Sequence, residues 1–151
     1  VIDYSRDLLF LLNDVGRLLR IEADRRAKVH GMTRAQWGIL LWLAREPGLS
    51  QRELAEILEV EPITVARLVD RLEARGMVER RADGNDRRIW RLHLTPATTP
   101  VLHDIQSNCA AMSAALTQGM PAASQARFVD TLLTMKSILS AERRADTKEV
   151  A

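Results

Sequence analysis

A mainly α-helical protein, interrupted once by a β-hairpin, is the fold class this sequence predicts, and three observations predict it. Apolar residues recur at helical spacing through most of the 151 residues, in a chain dominated by Ala, Leu, Arg and Glu and only 4% aromatic. Two segments, Thr33-Arg34-Ala35-Gln36 and Ser50-Gln51-Arg52-Glu53, have the form of a capping box, in which a hydroxyl and an amide or carboxylate side chain satisfy free helix N–H groups. Between residues 77 and 94 the apolar period falls to two, around a polar Asp83-Gly84 tip.

The elements follow in order. Residues 3–28 carry Leu8, Leu11, Leu12, Val15, Leu18 and Leu19 on one stripe, and His30-Gly31 stops that helix. Thr33 opens a second helix, with Trp37, Leu40, Leu41 and Ala44 as its apolar face, ending before Pro47-Gly48. Ser50 opens a short third helix, Ser50–Leu58, that buries Leu54, Ile57 and Leu58. A fourth runs from Pro62 to Arg75: proline is harmless in the first turn, where its missing N–H has no partner to lose, and Val65, Leu68, Val69 and Leu72 form the buried stripe. Met77–Arg81 and Arg88–Leu94 make the hairpin, in which Trp90, Leu92 and Leu94 alternate with Ile89, Arg91 and His93. Trp90 is expected to pack on the hairpin face, with a contact to a partner outside the chain as the alternative. Two prolines, Pro96 and Pro100, argue against an unbroken helix from Pro96 and favour a turn or a start at Thr99. Helical patterning then runs to Gln118 and again from Pro121 to about Arg144, with Phe128, Leu132, Met135 and Leu139 as the last stripe.

Composition excludes several function classes. The longest apolar runs, Leu8–Leu12 and Ile39–Leu43, are far short of the ~18–20 residues that span a bilayer. No basic start followed by an apolar core and a small-residue cleavage site is present, so a secretory leader is not expected and a cytoplasmic protein is. The single cysteine, Cys109, excludes an intrachain disulfide; lying beside Ala110 and Ala111, it is expected to be a small buried filler. His30, His93 and His103 have no paired metal spacing, and no HExxH, GxSxG, phosphate-binding or dinucleotide-binding glycine pattern occurs. Neither an enzyme nor a metal or cofactor is implied.

Charge and helix order point elsewhere. The net charge is only +2, but 19 of the 22 cations are Arg, the residue whose planar fork matches phosphate and guanine edges. Residues 75–95 hold six Arg against three acids. Short helix, tight turn at Glu59–Glu61 and second helix match a helix-turn-helix, whose second helix lays its N-terminal end in a DNA major groove. With the stripe of Val65, Leu68, Val69 and Leu72 turned inward, Ile63, Thr64, Arg67 and Arg71 are left outside. Thr64 offers a hydroxyl and a methyl to base edges, and Arg67 can reach guanine O6 and N7. Ser50 and Gln51 open a helix whose free N–H groups suit a phosphate. Asp86 can orient a neighbouring guanidinium, so that Arg87 and Arg88 project from the hairpin tip towards a minor groove. A helix-turn-helix followed directly by an Arg-tipped ribbon is a winged helix.

The chain resembles the MarR family of bacterial transcription regulators, and within it SlyA-like members. The resemblance runs through Met32–Trp37, through Leu49-Ser50-Gln51-Arg52-Glu53-Leu54-Ala55, and through Thr64–Arg80. It ends in Asp86-Arg87-Arg88 and Leu92-His93-Leu94-Thr95. It implies a winged helix-turn-helix with N- and C-terminal dimerisation helices, six helices plus a hairpin wing. The boundaries are 1–30 for the first dimerisation helix, 31–95 for the DNA-binding domain and 96–151 for the last two helices. It further implies a homodimer on a pseudopalindromic operator, acting most often as a repressor, with DNA contacts at Pro62, Ile63, Thr64, Arg67, Arg87 and Arg88. Release from DNA by a small aromatic carboxylate is also implied, for which Arg17 and Arg20, with Trp37 as an apolar wall, are the candidate residues. The competing reading is a winged-helix module that binds protein without specific DNA affinity.

Overall fold

A computed structural model describes residues 4–149, with side chains as far as residue 142. A 3-10 turn at Tyr4–Arg6 precedes α1 (Leu8–Val29), α2 (Arg34–Arg45), α3 (Gln51–Leu58) and α4 (Pro62–Ala74). Strands β1 (Val78–Ala82) and β2 (Trp90–Leu94) follow, then a 3-10 turn at Pro96–Thr98, α5 (Thr99–Leu116) and α6 (Ala122–Glu149). The chain divides into two compact units, Val1–Asn108 and Cys109–Ala151. The first of these holds the helix-turn-helix and the hairpin.

Most helix ends lie where local chemistry put them. Both capping boxes form: Thr33 accepts from the Gln36 amide at 3.2 Å while Gln36 accepts from Thr33 N–H at 2.9 Å. Glu53 likewise returns a 2.7 Å bond to Ser50 N–H. The first helix starts at Leu8 and not near residue 3, because the Asp7 carboxylate caps it by accepting from Phe10 N–H at 2.8 Å. The last helix runs past Arg144 to Glu149. The fifth starts at Thr99, after a turn in which buried Thr98 donates its hydroxyl to the Met77 carbonyl and so ties that turn to the base of β1.

Burial follows the stripes on α4 and departs from them elsewhere. Val65, Leu68, Val69 and Leu72 are all buried, and pack with Ile39, Leu40, Leu43, Leu54, Val78 and Leu92 in one core cluster. On α2, Ile39 and Leu43 are buried while Ala44 is exposed and Leu41 half-buried. That helix packs against α1, α3, α4 and β2, so a broader and rotated face is covered than a single stripe predicts. Cys109 is exposed and not a buried filler. Its neighbours Ala110 and Ala111 are exposed too.

The turn between α3 and α4 stores a little strain. Glu59 ends α3 in the left-handed conformation, φ 55° and ψ 43°, which crowds a side chain and suits glycine. Glu59→Gly is expected to stabilise the fold by about 0.5–1 kcal/mol, the relief of crowding exceeding glycine's extra entropy in the unfolded chain. Chemical denaturation checks this. A destabilised variant would mean that the Glu59 side chain makes a compensating contact.

Candidate nucleic-acid interface

The hairpin is anchored to the helix-turn-helix before it projects from it. Its strands pair antiparallel, Val78 with Leu94, Arg80 with Leu92 and Ala82 with Trp90. An isolated bridge between Ser50 and Arg91 adds a third, one-residue strand, with Gly48 N–H donating to Leu92 O at 2.9 Å and Leu92 N–H to Leu49 O at 3.0 Å. On one side, Arg80 bonds to both Asp70 and Glu73 of α4. On the other, Arg91 reaches Asp83 at 2.7 Å, Glu53 at 3.1 Å and the Gly48 carbonyl at 3.3 Å. The wing is thus held from both faces to the two helices of the motif.

Sequence reasoning misses this Arg91 hub. The alternation places Arg91 outward, and Asp83, a carboxylate at the tip eight residues away, reads only as a turn former. In the structure Asp83 does both jobs, accepting Asn85 N–H at 2.8 Å and Asp86 N–H at 3.0 Å while it binds Arg91. The Arg91 guanidinium, and then these two amides, lower its pKa from 3.8 to about 2. Asp86 is lowered in turn by Arg88, which donates to it from Nε and Nη2, both at 3.1 Å, and from its backbone N–H. Glu53 is lowered by its bonds to Ser50, with Arg91 adding to them. Depressed carboxylates favour the folded tip above their ordinary range, so the contribution of Asp83 is complete above about pH 4 and lost as pH falls through about 2. The Asn85 and Asp86 amide resonances are therefore expected to titrate with a midpoint near 2; a midpoint near 4 would show that Arg91 does not hold Asp83.

The residues expected to contact DNA lie on α3, on α4 and at the wing tip. Ser50 caps α3 and Gln51 is its first residue, so both sit at that helix's N-terminus, with the Ser50 hydroxyl engaged in the capping box. Pro62 is the first residue of α4. Thr64, Arg67 and Arg71 are exposed along the helix, and Ile63, 61% exposed, presents an apolar group beside them. At the tip, the Arg88 side chain is 90% exposed although paired with Asp86, and Arg87 is exposed. The buried stripe leaves these α4 residues on the helix's outer face, and the anchored wing leaves Arg87 and Arg88 at its tip.

Trp90 is 48% exposed and stands opposite Ala82 on the hairpin. The suggested effector residues are not assembled into one site. Arg17 is turned to Asp14 at 2.9 and 2.7 Å, and with Arg20 it lines an open groove of about 450 Å³ beside Tyr4 and Phe10. Trp37 is 4% exposed, belongs to the core and is not part of that groove. Among the described residues no group of three or more His, Cys, Asp or Glu could hold a metal ion, and no helix is long and apolar enough to cross a membrane.

Comparison with known proteins agrees with this fold. Residues 30–89 match the model of the MarR family. The transcriptional regulator PA3341 is 37% identical, over 87% of this chain and 96% of that one, with a TM-score of 0.76. The structure of MarR is 27% identical, over 95% and 97% of the two chains, with a TM-score of 0.81. YwoH of Bacillus subtilis (strain 168), an uncharacterized HTH-type transcriptional regulator, is 34% identical over 84 residues, which is 56% of this chain. The chain spans 46% and 61% of the length of the curated relatives it matches. With the family model, the six-helix fold and a regulator of 37% identity in agreement, the chain belongs to the MarR family of transcriptional regulators.

Proposed function

We propose that the chain is a homodimeric, cytoplasmic, sequence-specific DNA-binding regulator that represses by occupying its operator. The observation that carries the DNA reading concerns unused charge. Of the nine Arg in residues 50–95, five are ion-paired and Arg75 bonds the His30 carbonyl. Arg67, Arg71 and Arg87 have no partner among the described residues, and they stand on the outer face of α4 and at the wing tip. Free guanidiniums on these elements suit a polyanion that supplies the missing acceptors. In this reading Thr64 and Arg67, flanked by Ile63, read base edges. Arg87 and Arg88 serve the minor groove, Asp86 holds Arg88 extended, and Arg71, Pro62, Ser50 and Gln51 line the phosphates.

The dimer is supported by apolar surface left on two helices. Leu8, Leu11 and Leu18 on α1 are exposed, as are Phe128, Leu132 and Leu139 on α6. Patches of this kind mark interfaces, and a two-fold axis would set two recognition helices about one DNA turn apart. The segments 1–30 and 96–151 are accordingly assigned to dimerisation, and 31–95 to DNA. Release by a small aromatic carboxylate is assigned to the α1 groove, where the Tyr4 and Phe10 rings lie 5.7 Å apart near Arg20. Such a ligand acts only by preferring the non-binding arrangement, by ~1.4 kcal/mol for a tenfold loss of operator.

Sedimentation at micromolar concentration, followed by DNA titration between 50 and 200 mM salt, tests the reading. A dimer whose affinity falls steeply with salt is expected. A monomer would overturn the dimer, and DNA affinity that is negligible or insensitive to salt would favour a protein-binding winged helix. Addition of salicylate at millimolar concentration should weaken the complex; an unmoved midpoint would leave control to protein abundance.

A further inference from the structure

We infer that Trp90 is a DNA contact in its own right: its indole lies against the deoxyribose–phosphate rim of the minor groove that Arg87 and Arg88 enter. The inference rests on the DNA-binding reading above. Three features of the wing carry it.

First, Trp90 leaves about half of a large apolar side chain open at 48% exposure. It is the one exposed large apolar residue of the hairpin among the described residues, set apart along the chain from the apolar stripes of α1 and α6. A single indole is far too small for a protein interface, which needs several hundred Å² from each partner. It is, however, well matched to one sugar, whose edge is apolar, beside a phosphate oxygen that can accept from the indole N–H. Second, its surroundings select a polyanion. Arg87 is unpaired among the described residues, and the Arg88 side chain, although paired with Asp86, is 90% exposed.

Third, its position is fixed and the distance fits. Trp90 adjoins Arg91, which is clamped to Asp83, Glu53 and Gly48, so the indole is presented by an anchored strand and not by a free loop. Trp90 lies two positions along the chain from Arg88, a reach of at most about 7 Å. The minor groove is roughly 6 Å wide and 7.5 Å deep. A guanidinium inserted from Arg88 therefore leaves residue 90 at the groove's edge, where sugars and phosphates lie. The contact is to backbone, so it adds affinity without choosing sequence.

The test compares wild type, Trp90→Phe and Trp90→Ala on a random-sequence duplex and on a duplex enriched from random DNA by the wild-type chain. Trp90→Ala is expected to weaken both duplexes equally, by about 3–10-fold, because the indole shields only a few tens of Å² of apolar surface from water. The salt slope should be unchanged, since no charge is removed. Wild-type indole emission should shift or be quenched on DNA, and Trp90→Phe should abolish that change, since Trp37 is in the core and Trp42 is covered by Arg45 at 5.3 Å. The Phe variant, with its circular dichroism matching wild type, keeps the optical result independent of any instability in the Ala variant. Unchanged affinity of Trp90→Ala on both duplexes, a loss confined to the enriched one, or emission indifferent to DNA would each overturn the inference while leaving the regulator reading intact. Failure of the wild type to bind either duplex would overturn the regulator reading, and this contact with it.

Discussion

Arg67→Ala is expected to cost about 1–3 kcal/mol on the cognate operator, roughly 5–150-fold in affinity, and to blur discrimination at one base position. Arg67 stands on the outer face of α4, one turn from Thr64, and makes no bond among the described residues, so its removal leaves no buried group unsatisfied. The thermal transition should therefore be unchanged, and binding to unrelated sequence should fall much less than binding to operator. Equal losses on both would make Arg67 a phosphate contact and remove it from base readout.

Leu72→Ala is expected to have the largest effect on the fold, about 2–5 kcal/mol of unfolding free energy. Leu72 is wholly buried, and its carbonyl accepts the Met77 N–H at 2.9 Å, where α4 hands over to the wing. Truncation leaves a cavity between α4 and the core it packs on. Operator binding should fall together with stability, the reverse of the pattern for Arg67, and denaturant titration beside DNA titration separates the two. A loss below about 1 kcal/mol would mean that α4 collapses onto the gap and that the core is less closely packed than its burial suggests.

What is legible in the sequence is chiefly local. The two capping boxes, the stripe of Val65, Leu68, Val69 and Leu72, and the Thr99 start depend on residues within a turn or two of each other. The outward set of Ile63, Thr64, Arg67 and Arg71 follows from that stripe by geometry alone. What escapes depends on distant partners. Arg91 meets Glu53 across 38 positions, and a one-residue bridge to Ser50 is too short to leave a periodic signal. Alternation puts Trp90 on the same strand face as Leu92, but it carries no information about how far burial extends along that face, where Leu92 is buried and Trp90 is 48% exposed. Trp37 shows the converse: an aromatic beside a capping box reads equally as a pocket wall or as core, and only the packing of α2 decides for core. Asp7 is an ordinary N-cap residue, hidden in the sequence because helical patterning continues through it.

Sequence-specific recognition by the outer face of α4, with the wing alongside, stands or falls on selecting bound duplexes from random DNA with the purified chain. Enrichment of an inverted repeat is expected, its half-site centres about 10 base pairs apart and its flanks A·T-rich where the wings enter the minor groove. Recovery of sequences no different from the starting pool would contradict it.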